Sequence, residues 1–286
     1  MKTLAILADI HGNSIALQAV LNDLERQGGA DHMMVLGDLA VFGPDPRGVL
    51  TLLQENGPIF YVCGNTDRYL VEERYPTSPD NESWRSQVLD SFPWTAHQLG
   101  QAGLKFLARL PRQQFKEFTG EHPLLAVHGS PRSDEENICP DTPEVELERM
   151  LLDGLTYNLL LCAHTHVPVD RIVAGRQVVN VGSVGLPFDG DPRASYALVH
   201  LVDGGEYRIE MRRVAYDVEA VVDQLFAVAH PAAEVQACNL RTARRLDPQL
   251  IYTNAMRWGQ AKLAEPRQQK DFRSALLLSR LAPVTG

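Results

Sequence analysis

The chain has 286 residues, 44% of them hydrophobic, and a formal net charge of −9. That length and apolar content suffice for one large core, or for a domain with an extension, and the acidic balance is not that of a nucleic-acid binder. No apolar stretch approaches the roughly 18 residues that a membrane span needs.

The charge is unevenly distributed. Between Asn239 and Gly286, nine Lys or Arg stand against three Asp or Glu, so a basic tail follows a strongly acidic body. Cys63, Cys139, Cys162 and Cys238 are far apart, with no CxxC spacing, and two of them sit in apolar runs. They read as reduced, buried thiols of a cytoplasmic protein.

MKTLAILADIHG opens the chain with one Lys, a short apolar run and no small-residue cleavage site, so it reads as a first strand rather than a signal peptide. Further uniform apolar runs of strand length follow: HMMVLGD, IFYVCGN, LLAVHG and NLLLCAHTH. Such uniformity suits strands covered on both faces, as in α/β sheets. Between the first three lie helical patterns. Asn13 is placed to cap a helix carrying Leu17, Val20, Leu21 and Leu24, and Asp45-Pro46 to start one carrying Val49, Leu50, Leu52 and Leu53, stopped by Asn56-Gly57.

Residues 72–110 break the rhythm with a polar ERYPTSPDNES segment and a helix-like WTAHQLGQAGLKFLARLP; they read as a helical insertion near the site rather than core. After His166, RIVAG-RQVVNVGS and ASYALVHLVDGGEYRIEMRRV are paired β-runs around AG and DGG turns, which predicts antiparallel strands and a second sheet. From Asp217 the pattern turns helical, with Val221, Val222, Leu225 and Phe226 in one stripe. The expected organisation is a domain over 1–215 and a C-terminal helical extension over 216–286 packed on it.

Each uniform run ends on residues able to hold metal. The first ends in Asp9-Ile-His11, the second in Gly37-Asp38, the third in Gly64-Asn65-Thr66-Asp67, the fourth in His128 and the fifth in His164-Thr165-His166. The carboxyl ends of strands in a parallel sheet share one edge, where ligand sites form, and alternation lets residues i and i+2 aim at one spot. A single Asp after a strand is ordinarily a turn residue or cap, and a single His in an apolar run a hydrogen-bonded core group. Seven such residues at five strand ends are not explained that way. Mixed oxygen and nitrogen donors suit Mn, Fe or Zn better than Ca or Mg.

These pieces, in order, match the pattern DxH, GD, GNx(D/H/E), H, GHxH, and over residues 1 to about 215 the chain resembles the calcineurin-like metallophosphoesterases. The likeness is to the small bacterial and archaeal phosphodiesterase-type members, also through GDLAVFGPDP and VNVGSVGLP. The resemblance implies an α/β, four-layer αββα sandwich, with two packed mixed sheets flanked by helices and a dinuclear centre. Asp9, His11 and His166 would hold one ion, Asn65, His128 and His164 the other, and Asp38 would bridge them. Mn is the first expectation, with Fe, Zn or Ni accepted by the same donors. Two ions about 3.5 to 4 Å apart lower the pKa of a shared water, so that hydroxide attacks phosphorus at neutral pH.

Many family members have His after the Asn, where it helps protonate the leaving group; here it is Thr66, which cannot serve as an acid unless Asp67 or a water substitutes. The competing reading makes Asp67 an acceptor that orients a ligand His. Asn65, as a neutral amide, holds metal while its NH2 reaches a phosphate oxygen. The usual Gly of GHxH is Ala163, a small departure.

Thr66 directs the reading towards phosphodiesters with activated or strained leaving groups, such as a 2',3'-cyclic nucleotide. The alternatives are a phosphomonoesterase, Ser/Thr protein phosphatases included, and a non-catalytic scaffold; GDLAVFGP lacks the Asp-Arg pair of the protein phosphatase branch. Arg132 and Arg193 are candidate phosphate forks, with ordinary surface arginines the competing reading. The basic tail suits nucleic acid less than docking on the acidic body or a second subunit, which leaves a homo-oligomer open. His32, His97, His122, His200 and His230 fit no ligand spacing and are assigned to surface or core.

Overall fold

A computed structural model describes residues 2–76, 83–118, 123–151, 156–202 and 204–245, without the side chains of 83–87. The first five elements are β1 (Lys2–Leu7), α1 (Ser14–Arg26), β2 (His32–Val35), α2 (Pro46–Glu55) and β3 (Ile59–Tyr61). Both expected caps form: Asn13 accepts from the Ala16 N–H at 3.0 Å, and Asp45 from the Gly48 N–H at 2.9 Å, with Pro46 in the first turn. Then come α3 (Asn65–Glu72), α4 (Ser83–Leu107), β4 (Gln113–Glu117), β5 (Pro123–Val127), α5 (Glu144–Met150) and β6 (Leu159–Cys162). The order closes with β7 (Val169–Val173), β8 (Arg176–Asn180), β9 (Ala194–Val202), β10 (Glu206–Val214), α6 (Val218–Ala227) and α7 (Ala233–Thr242).

The strands form two five-stranded sheets, ordered β10-β9-β1-β2-β3 and β4-β5-β6-β8-β7. Alternation explains why the runs are apolar throughout. On β1, Leu4 and Ile6 face inward against Leu124 and Ala126 of β5 and Leu159 and Leu161 of β6, forming the layer between the sheets. Ala5 and Leu7 face outward against Leu17, Val20, Val49 and Leu53 of α1 and α2. On the far side of the second sheet, Leu125, Leu160 and Val178 meet Leu147 and Met150 of α5. The result is the expected αββα sandwich.

Three expectations change. The five strand ends that carry candidate ligands do not share one sheet: β1, β2 and β3 belong to the first, β5 and β6 to the second. Nor do the late β-runs make a sheet of their own. The β7-β8 hairpin joins the second sheet with β8 parallel to β6, and the β9-β10 hairpin joins the first with β9 antiparallel to β1. A hairpin has two edges, and each of these adds to an unpaired edge of an existing sheet. The insertion also contributes to the core. Phe92, Leu99 and Leu107 of α4 are buried in the cluster of α1 and α2, and the helix breaks at Gly100, where φ is +61°.

The terminal helices follow their pattern with one exception: Val221, Val222 and Leu225 are buried with Leu186, Ala237 and Leu240, while Phe226 is 53% exposed. Helices α6 and α7 belong to the same compact unit as the two sheets. The expectations for the basic tail from residue 246 onward, and for His122, lie outside the described residues. Among the described residues, all four cysteines are free and no helix is long and apolar enough to cross a membrane.

Removing the Phe92 ring should leave a cavity in the first core layer, so Phe92→Ala is expected to cost about 3 kcal/mol in urea unfolding, whereas Phe226→Ala should change stability by less than about 0.5 kcal/mol.

Candidate metal centre

The parallel ladder of the first sheet continues past β1 and β2. Asp9 N–H donates to Gly37 O at 3.1 Å, His11 N–H to Asp38 O at 2.9 Å and Gly12 N–H to Leu39 O at 2.9 Å. In the second sheet, Ala163 N–H donates to His128 O at 2.8 Å, which sets the end of β6 beside the end of β5. The loop after β8 then crosses to the first sheet: Val184 N–H donates to Ala8 O at 2.9 Å, Gly185 N–H to Asp9 O at 3.0 Å and Ser183 Oγ to Asp9 O at 2.7 Å. The carboxyl ends of both sheets therefore meet at one place.

At that place Asp9 (φ 51°), His11 (49°), Asp38 (54°), His164 (71°) and His166 (60°) all adopt left-handed backbone conformations. For non-glycine residues this costs on the order of 1 kcal/mol or more each, and persists only where the surroundings impose it. Glycine is required beside them. A Cβ on Gly64 would overlap the Asp38 carboxylate, and one on Gly37 would overlap the backbone of Gly64.

The side chains form two groups that share Asp38. In the first, ligand atoms of Asp9, His11, Asp38 and His166, all buried, lie within 4.8 Å of one another. His11 Nδ1 is 2.9 Å from Val41 O, and His166 Nδ1 contacts Leu186 O. A carbonyl only accepts, so in each ring the proton sits on Nδ1 and Nε2 carries a lone pair. Those two Nε2 atoms face each other at 3.0 Å. Asp9 Oδ1, 3.7 Å from His166 Nε2, has no hydrogen-bond donor, while its Oδ2 accepts from His164 N–H at 3.1 Å.

The second group repeats the arrangement. His128 donates from Nδ1 to Leu36 O at 2.7 Å, and the His164 ring stands edge-on to it with centroids 5.2 Å apart. His128 Nε2 and His164 Nδ1 each lie 3.0 Å from Asn65 Oδ1. Asp38 spans the groups, with Oδ2 3.6 Å from His11 Nε2 and Oδ1 3.6 Å from His128 Nε2. In the first group, lone pairs converging without donors in a buried place fit a cation, and this donor set accepts transition metals. The Nδ1–H to carbonyl bonds also supply the orienting partners that histidine ligands use.

The titration behaviour agrees. Burial would depress His128, but the Asp38 and Asp9 carboxylates outweigh it and push it up to about 10. Burial lowers His11 and His166, and burial with the His128 charge takes His164 down to about 4. Burial pushes Asp9 well above the usual carboxylate range. Asp38 is held far below that range despite its burial, because His128, His11 and His164 surround it.

The remaining expected residues fall elsewhere. Asp67 is fully buried and orients no histidine. Its carboxylate accepts from the backbone N–H groups of Asp38 (2.8 Å), Leu39 (3.0 Å) and Gly64 (3.1 Å), so it holds the turn that presents Asp38 and has no position from which to protonate a leaving group. Thr66 donates its N–H to Asp38 Oδ1 at 2.9 Å, and its hydroxyl is buried without a partner. Arg132 is tied to Glu136 and reaches Arg149 O on α5; Arg193 is tied to Asp191. Neither guanidinium contacts the two groups.

Sequence reasoning missed the carbonyls of Leu36, Val41 and Leu186, since every residue carries one. It also missed Phe188, whose ring stacks on His166 at 4.5 Å, and Arg245, whose charge reaches His164.

Residues 1–204 match the calcineurin-like phosphoesterase superfamily domain. The chain belongs to that superfamily. Its fold is similar to that of a metallophosphoesterase from Sphaerobacter thermophilus, 29% identical, with a TM-score of 0.67 over 85% of this chain and 99% of that one. A hypothetical protein from Pyrococcus horikoshii is 25% identical with a TM-score of 0.72, over 86% and 100% of the two chains. An uncharacterized protein of Methanocaldococcus jannaschii is 28% identical over 240 residues, covering 78% of this chain and 91% of that protein. Membership of this superfamily makes a metal-dependent phosphoesterase the class of activity to test, and the buried Asp9, His11, Asp38 and His166 are a place for metal.

Because His128 holds a proton up to about pH 10 when no metal competes, metal uptake near pH 7.5 should release at least one proton, seen as acidification of a weakly buffered indicator solution. Affinity should rise with pH, on the order of tenfold per unit for each proton released. Gly64→Ala, which drives a methyl into the Asp38 carboxylate, should reduce bound metal in elemental analysis.

Proposed function

We propose that the chain is a dinuclear metal-dependent phosphoesterase that hydrolyses phosphodiesters, with nucleotide-type diesters such as 2',3'-cyclic nucleotides as the substrate class. The observation that carries the dinuclear reading is Asp38, with one carboxylate oxygen beside each of two convergent sets of donor atoms. Asp9, His11 and His166 would hold one ion, and Asn65, His128 and His164 the other. When bound, two such ions supply a lowered pKa for a shared water and neutralise charge developing on the phosphoryl oxygens.

The chain's own residues shape the rest. Backbone carbonyls keep the His11, His128 and His166 rings in one tautomer, and Asp67 keeps Asp38 in its turn. Asn65 keeps the second group free of a further negative charge that would repel an anionic ester. The diester preference rests on the proton inventory. Thr66 Oγ1 is buried, Asp67 is committed to three N–H groups, and His164 is held neutral at about 4. Among these residues nothing protonates a departing alkoxide, which favours leaving groups that depart readily or under ring strain.

The test is hydrolysis of bis-p-nitrophenyl phosphate and p-nitrophenyl phosphate side by side, with Mn added and with metals stripped. Metal-dependent cleavage of the diester above the monoester is the expected result; preferential monoester cleavage would establish the phosphomonoesterase alternative, and two bound ions with neither activity would favour the scaffold. Asp38→Ala should abolish turnover and lower metal content. Arg132→Ala and Arg193→Ala should leave KM within about twofold, since neither side chain reaches the centre.

A further inference from the structure

The two halves of the centre are anchored differently. The group of Asp9, His11 and His166 hangs on sheet ends and on the carbonyls of Val41 and Leu186, inside the core. The group of Asn65, His128 and His164 depends on a helix and a loop outside the strands. Asn65 opens the eight-residue helix α3, and His128 leads directly into the loop that follows β5. That loop curls back over Gly129, with Ser130 N–H donating to Ser133 O at 2.8 Å. Helix α3 is attached to the first sheet and the loop to the second.

One side chain joins them. Arg68, three residues after Asn65, donates from Nε to Asp134 Oδ2 at 2.6 Å and from Nη2 to Asp134 Oδ1 at 3.1 Å, a planar two-point clamp. Its Nη2 also reaches Glu135 Oε1, to which Tyr69 O–H donates at 2.6 Å. Arg68 and Asp134 side chains are 16% and 15% exposed, so water screens this pair less than a surface pair. The clamp therefore fixes the helix that presents Asn65 against the loop that follows His128. At the first group the bonds between the sheets are instead those of Asp9 with Gly185, Ser183 and His164, with no arginine–carboxylate pair among them.

We infer that Arg68 is a positioning residue for the second metal alone, setting the approach of Asn65 to His128 and His164 through the Asp134 and Glu135 clamp. The inference rests on the two-metal reading above. It predicts that the centre can be divided: without the clamp the second ion leaves while the first stays. Lysine, a point charge without the planar fork, restores only part of the function.

The experiment is Mn titration of the metal-stripped full chain followed by electron paramagnetic resonance and elemental analysis, for wild type, Arg68→Ala, Arg68→Lys and Asp134→Asn. Arg241→Ala, which breaks the exposed pair with Glu219, is the control for a lost ion pair elsewhere. Wild type should bind two ions and show the spectrum of a coupled pair. Arg68→Ala and Asp134→Asn should keep the first affinity within about twofold, weaken the second about 10- to 100-fold and show the six-line signal of isolated Mn. Arg68→Lys should fall between, and Arg241→Ala should match wild type. A second affinity unchanged in Arg68→Ala, or an equal loss at both sites with lowered Tm, would overturn the inference. Wild type binding fewer than two ions would overturn the two-metal reading, and the inference with it.

Discussion

Asp9 is the residue on which the meeting of the two sheets turns. Its carbonyl accepts from Gly185 N–H and Ser183 Oγ, and its Oδ2 accepts from His164 N–H, so one residue at the end of β1 holds two separate tails of the second sheet. The apolar layer between the sheets brings them together without fixing their offset, because hydrophobic contact has no direction. The directional bonds at Asp9 set that offset, and with it the distance between His11 of one sheet and His166 of the other.

The same contacts account for the backbone conformations at the candidate ligands. Extended strands ending in ordinary turns would send these side chains in diverging directions. Left-handed residues at Asp9, His11, Asp38, His164 and His166 turn them back towards one point, at an energetic cost met by hydrogen bonds such as those from three N–H groups to Asp67. Asp67 thus matters to the centre without being part of its chemistry. Its buried carboxylate organises the turn from which Asp38 reaches both groups.

Aromatic packing extends the influence of the centre outward. His11 contacts Phe42, Phe42 contacts Phe92 of α4, and Phe92 contacts Tyr69 of α3 and Tyr75. The insertion is therefore continuous with the wall behind the first group. A helix of mixed composition reads as an insertion rather than core in the sequence because its buried positions, Phe92, Leu99 and Leu107, are widely spaced along it and leave no dense stripe.

The sequence by itself determined the strands of the two parallel cores, the caps at Asn13 and Asp45, and the seven candidate ligands, because burial on both faces and a polar residue abruptly ending an apolar run are local signals. Strand β4, whose residues alternate between exposed and half-buried, gave no such signal. Only the tertiary structure decided that the strands divide between two sheets, that each late hairpin adds to a different sheet, and that Arg132 and Arg193 are held away by Glu136 and Asp191. It also decided that Asp67 binds backbone and that Arg68 clamps two elements. Those outcomes depend on which edges and which carboxylates lie close in space, and nothing within a few residues of each position encodes that proximity.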